Sequence, residues 1–328
     1  MHNKKLSWNK INKPIIALSP MADMTDSSFC RVVKEVTGET DFPVVFREMV
    51  SSEAVVRGSE KTLDMTDIHE AERPLVQQIF GSDPIVMREA LEKIQTEHSP
   101  EGFDVNMGCP VYKITSNFNG CALMKDPKNS AEIVKQMIAV SNVPVSVKIR
   151  LGWSDINDCL SFAPAMEQAG ATLITVHGRT KEQGYSGVSN WEQIAKVKKT
   201  ISIPMLANGD IHTPESLIKA LEITKADGAL IARGALGNPW IFKQMKDILE
   251  TGKYEIPTID EKIIVIRRHL DLHIMQYGDL GIRTFRKHLT WYFKGYPNAK
   301  FYRDKMNRAE NIEELNEVFN EILKSKDF

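Results

Sequence analysis

VSVKIRL (145–151), CLSFAPAMEQAG (159–170) and LITVHGR (173–179) follow one another in the chain and decide how the rest is read. The outer two are short, apolar and rich in β-branched residues, as strands buried on both faces are. The middle one has the length of a helix and stops at Gly170, a C-cap residue. The alternation continues in both directions. IIAL (15–18), VVFREM (44–49), LVQQIF (75–80) and FDVNM (103–107) precede it, and MLANGD (205–210) and GALIAR (228–233) follow. Helix-length segments such as NSAEIVKQMIAVSN (129–142) separate them, and Pro144 and Pro204 open strands where a missing ladder donor is tolerated. Eight βα units predict an α/β fold, a closed (β/α)8 TIM barrel.

After GNPWIFKQMKDILETG (237–252) the segment YEIPTIDE carries no strand signal, and beyond it apolar residues fall at helical spacing. The expected division is a barrel over 1–250, a linker near 251–260, and a small all-helical domain closing the 251–328 region. Its helices are too short to stand alone and must pack on one another.

With 42 Lys and Arg against 43 Asp and Glu, global charge announces no polyanion partner. The local balance differs: from 261 to 308 there are eleven basic residues against four acidic, interleaved with aromatics such as Phe285, Trp291 and Tyr292. That composition suits phosphate contacts and base stacking, although the spacing of the aromatics makes most of them bundle core. No run of eighteen apolar residues exists, so no membrane span is expected. The first residues lack a secretory pattern, so a cytoplasmic protein is expected. Cys30, Cys109, Cys121 and Cys159 form no Cys-x-x-Cys pair, which argues for reduced thiols and against a structural metal. His269 and His273 stand one helical turn apart, but no third ligand is evident in the sequence. They read as a solvated or RNA-facing helix surface, and no metal is expected.

In such a barrel the active site is built at the carboxyl ends of the strands, and here those ends are polar. They hold Gln78, Asn106, Cys109, Lys148, His177, Arg179, Asn208, Asp210 and Arg233. Gly209 and Gly234, in the loops after strands seven and eight, would let backbone amides approach a phosphate, with Arg233 supplying charge and ALGNPWIF opening a helix toward it. Those glycines also read simply as turn residues. Lys148 needs an anionic or carbonyl partner, either a ligand or a buried carboxylate such as Asp104 or Glu48. Cys109 is either a small buried hydrophobe or a proton donor. No Gly-x-Gly-x-x-Gly or Walker motif points to a Rossmann or P-loop site.

SPMADMTDSSF (19–29), QIFGSDP (78–84), DVNMGCPVYKITSNFNGCALM (104–124), VKIRLGW (147–153), VHGRTKEQGYSG (176–187), ANGDI (207–211) and RGALGNPW (233–240) together resemble the tRNA-dihydrouridine synthases. GIRTFRKHLTWYFKG (281–295) is similar to the helical domain of the bacterial B-type subgroup. The resemblance implies FMN held by Asn208, Gly209, Asp210, Ala232 and Arg233 at its phosphate and by Pro20, Met21, Ala22, Gln78, Lys148 and His177 at its ring. Ala232 stands where the family usually has glycine. NADPH, or NADH, would reduce the flavin; a hydride would then pass to uracil carbon 6 and Cys109 would protonate carbon 5. Asn106, Lys113 and Arg179 near the site, and Arg283, Arg286 and Lys287 in the tail, are the expected contacts to tRNA or another structured RNA, by a monomeric enzyme. Two alternatives share parts of this pattern: a small-molecule pyrimidine flavin oxidoreductase resembling dihydroorotate dehydrogenases, and a non-catalytic RNA-binding protein.

Overall fold

The structure, a computed structural model, describes residues 6–296 and 298–325. The extreme ends of the two expected domains, and the first residues of the leader reading, lie outside the described residues. Eight strands, β1 (Ile15–Leu18), β2 (Val44–Ser51), β3 (Leu75–Phe80), β4 (Gly102–Met107), β5 (Val145–Arg150), β6 (Ile174–His177), β7 (Met205–Asn208) and β8 (Gly228–Ile231), pair in sequence order. All ladders are parallel, and β1 pairs with β8, so the sheet closes into a barrel.

Helix α1 (Ser27–Thr37) follows β1, and two short helices, α2 (Ser52–Val56) and α3 (Glu60–Asp64), follow β2. Next come α4 (Pro84–His98), the one-turn α5 (Tyr112–Thr115), α6 (Pro127–Val140), α7 (Asp158–Gln168), α8 (Trp191–Lys198), α9 (Pro214–Thr224) and α10 (Ile241–Thr251). Their starts follow from local chemistry. Asp26, Asp83 and Asp126 each accept a backbone N–H in the first turn of α1, α4 and α6, and Pro84, Pro127 and Pro214 occupy first-turn positions where a missing N–H costs nothing.

The period of two along each strand sorts the two faces of the sheet. Ile16, Leu18 and Val45 join the core beneath the helices, whereas Ile15, Ala17, Val44, Phe46, Val76, Leu206 and Leu230 form a separate apolar floor closed by Trp8, which stacks on Phe46. Farther along the same inward face the residues turn polar, as Gln78, Asp104, Asn106, Ser146, Lys148 and His177 show. The barrel therefore has a dry end and a chemical end.

Helices α11 (Ile259–Tyr277), α12 (Gly281–Tyr292), α13 (Ala299–Arg308) and α14 (Ile312–Lys324) share a second core that includes Ile263, Phe285, Leu289, Tyr302, Leu315 and Phe319. A capping box at Thr258 and Glu261 starts α11. The bundle sits on α1: Arg268 is ion-paired with Glu35, and Gln276 accepts from the Ser28 N–H. Gly237 in the β8–α10 loop, at φ +71°, lies so close to α12 that a Cβ there would come within 2.4 Å of the Trp291 carbonyl.

One expectation fails here. His269 and His273 do not lie on a solvated or RNA-facing surface; both are fully buried between α11, α12 and α1, beside His288 and Asp26. Helical spacing placed the two histidines on one face, but which face α1 would cover is a long-range fact. Among the described residues no helix is long and apolar enough to cross a membrane.

Candidate active site

At the chemical end of the barrel lies a cavity of about 380 Å³, within the size range of small-molecule sites. Pro20, Met21, Ala22, Gln78, Asn106, Cys109, Lys148, His177, Asn208, Gly209, Asp210, Ala232 and Arg233, scattered over more than two hundred positions, all line it. The β1–α1 loop carrying the first three is tied to itself, with Thr25 Oγ1 accepting from the Met21 N–H at 2.8 Å.

The floor of the cavity is a hydrogen-bonded network. Gln78 Nε2 donates to Asp104 Oδ2 at 2.6 Å, Ser146 Oγ donates to the other carboxylate oxygen at 2.6 Å, and Asn106 Nδ2 donates to Gln78 Oε1 at 2.8 Å. Burial raises the Asp104 carboxyl to about 6 against the pull of these donors and of Lys148. Lys148 Nζ donates to Asn208 Oδ1 at 3.0 Å and to neither Asp104 nor Glu48. With burial and the neighbouring Arg150 charge, its ammonium falls to about 8. His177 is held well below the usual imidazole range by burial and by the surrounding Arg150 and Lys148 charges, and its buried Nδ1 has no partner among the described residues.

Across the cavity, the β7 loop turns through Gly209 at φ +110° and Asp210 at φ +56°. A Cβ at 209 would lie 2.6 Å from Ser189 Oγ and 3.1 Å from His177 Nε2, so only glycine lets the loop pass between them. Asp210 receives Arg179 on both oxygens, at 3.0 and 2.7 Å, the Ser189 N–H at 2.7 Å and Arg233 at 3.4 Å. Burial would raise this carboxyl, yet the Arg179 bonds hold it below its usual range.

Two sequence expectations narrow at this rim. Arg179 is 2% exposed and also donates to the Ser186 and Gly187 carbonyls, so four of its five N–H groups are taken up inside the protein. ALGNPWIF (235–242) does open a helix, but only at its last two residues: residues 233–237 form successive turns and α10 begins at Ile241. Glycine is required at 234 because the chain passes the Ile211 carbonyl, which a Cβ would meet at 2.6 Å.

Cys109 follows β4 at the cavity wall. Asn106 Oδ1 accepts the Gly108 and Cys109 N–H groups at 3.2 and 2.9 Å and so fixes the loop. Burial pushes the Cys109 thiol up, against the opposing influence of the Val111 N–H and the Arg150 and Lys148 charges. At neutral pH it carries its proton. Cys121, Cys30 and Cys159 are fully buried, as expected of core thiols.

Outside the cavity, Lys113 is exposed on α5. Arg283 is exposed on α12, and Lys287 lies close enough to Glu48 at the barrel mouth to oppose the rise of that carboxyl to about 6. Arg286 is partly buried and donates to the Ala309 carbonyl at 3.0 Å, a link between α12 and the end of α13. Phe285, Tyr292, Phe293 and Tyr302 are buried, whereas Phe301 is exposed.

Two cavity residues were given no role by the sequence reading, although Arg150 was among the polar residues at the strand ends. Arg150, two positions after Lys148 and so on the same strand face, donates to the Gly108, Thr180 and Gly184 carbonyls and fastens the loops after β4 and β6 together. Tyr185, 61% exposed, stacks its ring near both Arg150 and Arg233. The period of two was the available signal for Arg150; nothing local marked Tyr185.

The parallel (β/α)8 barrel thus gathers a thiol, a buried lysine, an imidazole with an unpartnered Nδ1 and a glycine loop beside Arg233 around one cavity at the carboxyl ends of its strands. Residues 16–327 match the model of the dihydrouridine synthase (Dus) family, and the chain belongs to that family of oxidoreductases. It is 37% identical over 309 residues to "Probable tRNA-dihydrouridine synthase 1" of Synechocystis, covering 93% of this chain and 85% of that one. It is 35% identical over 302 residues to "tRNA-dihydrouridine synthase B" of Pseudomonas aeruginosa, covering 91% and 89%. Among solved structures, the old yellow enzyme homologue of Zymomonas mobilis superposes with TM-score 0.54 at 10% identity, over 78% of this chain and 94% of that one. A 2-naphthoyl-CoA reductase gives TM-score 0.56 at 12% identity over 76% of this chain, which spans about half (52%) of that enzyme. These two likenesses concern the fold.

Proposed function

We propose that this protein reduces the 5,6 double bond of uridine in tRNA, using FMN with NADPH or NADH as electron donor. The observation that carries the reading is the Cys109 thiol at the wall of a cavity that Lys148, His177, Gly209, Ala232 and Arg233 also line. The residues fit the flavin. His177 Nδ1 is a buried atom in want of a partner, Lys148 has only an amide oxygen, and Gly209 leaves no side chain in the way. Pro20, Met21, Ala22, Gln78, Lys148 and His177 would hold the ring, and Gly209, Ala232 and Arg233 the phosphate, with the Asp210 carboxylate orienting Arg233 from behind. When bound, the flavin supplies hydride. The chain itself brings the uracil to the cavity, excludes water, and delivers one proton from Cys109 Sγ to carbon 5. A uridine inside folded RNA must be unstacked to enter. The reading places 1–250 as the catalytic domain and the helices of 251–328 as the RNA-binding domain of a cytoplasmic enzyme. Uridine reduced in tRNA but not as the free nucleoside is the expected result. Equal turnover of both would favour a small-molecule reductase.

Lys148 gives this reading a pH signature. Its ammonium is lost above about 8 in the free protein, so flavin affinity should weaken as pH rises from about 7 to about 9, later if the bound anion opposes the loss. Flavin titration of the apoprotein should show this break in the wild type and none in Lys148→Met. Identical profiles would remove Lys148 from the site.

The tail gives a salt signature. Three of its cations already have a partner within the protein: Arg268 pairs with Glu35, Lys305 with Glu321, and Arg286 donates to the Ala309 carbonyl. Arg283 and Lys287 are the better candidates for phosphate. Replacing both with Gln should lower the logarithmic salt slope of tRNA binding by roughly two units, one per contact. Arg286→Gln should leave the slope unchanged and cost about 1 kcal/mol of stability. Binding isotherms at several salt concentrations separate the two outcomes.

A further inference from the structure

The buried junction between the barrel and the helical bundle holds a group of side chains that the proposed reaction does not use. Asp26, from the start of α1, meets His269 and His273 of α11 and His288 of α12. All four are at most 2% exposed, and one ligand atom from each lies within 4.8 Å of the others.

The hydrogen bonds around them are lopsided. His273 Nε2 lies 2.9 Å from Thr284 Oγ1, whose own proton has the Leu280 carbonyl at 3.0 Å, so the imidazole is the donor there. Its other nitrogen, Nδ1, faces Ser28 Oγ at 3.1 Å and Asp26 Oδ2 at 3.5 Å, and the Ser28 hydroxyl lies 2.7 Å from Asp26 Oδ1. If the serine proton goes to the carboxylate, a neutral His273 turns a lone pair toward a buried anion. Something positive must lie between them. His269 Nδ1 is 3.0 Å from the Tyr292 hydroxyl, and whichever of them donates, His269 Nε2 is left with no partner among the described residues. His288 Nε2 is in the same state.

A proton on His273 would answer the Asp26 charge but leave both Nε2 atoms unsatisfied in a dry interior, an arrangement that carries a desolvation cost for each. One divalent cation answers all of it. We infer that Asp26, His269, His273 and His288 form a structural metal site joining the barrel to the helical bundle. The ligands would be Asp26 Oδ2, His273 Nδ1, His269 Nε2 and His288 Nε2. Three imidazole nitrogens and one carboxylate oxygen, closed to solvent, suit a four-coordinate divalent transition metal of the zinc class. Ligand atoms around such an ion stand about 3.4 Å apart, so the group needs only small side-chain adjustments to close on it. The outer partners are already in place: Tyr292 on His269, Thr284 on His273, and the Tyr277 hydroxyl on Asp26 Oδ2 at 3.2 Å. The sequence hid this site because its four members come from three elements 262 positions apart at the extremes.

The test is made on the full chain with zinc or cobalt as the only probe, so it does not depend on the proposed reaction. After loading and dialysis the wild type should retain one zinc per chain, and cobalt should give the intense visible bands of a tetrahedral ion. His288→Gln and His269→Gln, shown to be folded by circular dichroism, should bind at least a hundredfold more weakly. If those variants fail to fold, X-ray absorption of the wild-type zinc protein decides: an all nitrogen and oxygen shell with imidazole scattering supports the site. A wild type that retains no metal, or a sulfur-containing shell, or equal retention by the folded variants, overturns it.

Discussion

Cys109→Ala should slow uridine reduction by about 10²- to 10⁴-fold while leaving flavin content and its reduction by nicotinamide unchanged. The substitution removes the acid without touching the network beneath it. The Cys109 N–H keeps its bond to Asn106 Oδ1, and the Gln78–Asp104–Ser146 floor does not involve the sulfur. Stability should change little, because only one sulfur atom at a cavity wall is lost. The pH profile is a second readout. Burial raises the thiol, so the wild type should keep its activity through the ordinary thiol range and lose it only at higher pH, where the proton is gone. Single-turnover oxidation of the reduced enzyme by tRNA isolates this step. A Cys109→Ala enzyme that turns over at the wild-type rate would remove the thiol from the reaction.

Arg179→Met should cost about 3 kcal/mol of stability and lower the melting midpoint by roughly 4–6 °C. Four donated hydrogen bonds disappear together: two to Asp210 and one each to Ser186 and Gly187. The carboxylate, 24% exposed, then keeps only weaker partners, which places the cost toward the lower end for a broken buried pair. The sign of the pH dependence is fixed as well. Because Arg179 holds the Asp210 carboxyl below its usual range, the pair contributes above about pH 4 and is lost as pH falls through the folded value. Arg179→Met should therefore have a flatter acid limb. Arg179→Lys should fail nearly as badly, since one ammonium cannot replace a planar fork. Thermal melts at several pH values check both points, and a melt that matches the wild type would contradict the geometry described.

Arg179 also marks how far a sequence can be read. Its place at the end of β6 was legible, because barrel strands announce themselves as apolar runs and their ends fall where polarity rises. Its role was not, since Ser186 and Gly187 of its own loop and Asp210 of the next take four of its five N–H donors. The same holds for Arg286, whose basic character was plain but whose bond to the Ala309 carbonyl was not, and for His269 and His273, whose common face was clear but whose burial depends on α1. Conversely, Lys148 stood out because an ammonium on a barrel strand is costly whatever surrounds it, whereas Gly209 and Cys109 kept a plain structural reading until the family resemblance chose against it. Residues selected by their own chemistry are visible in one dimension; residues selected by distant neighbours are not.

Gly237 leaves no room for even a methyl group between the β8 loop and the end of α12. Two units that touch backbone to backbone cannot slide or hinge at that point without separating altogether. If the tail holds RNA, it holds it as a fixed gauge: the span from Arg283 and Lys287 to the cavity is set by main chain, not by flexible side chains. Which nucleotide reaches the barrel mouth would then be chosen by measured distance along the folded RNA, and any change of target would require remodelling the seat of α12 instead of the cavity.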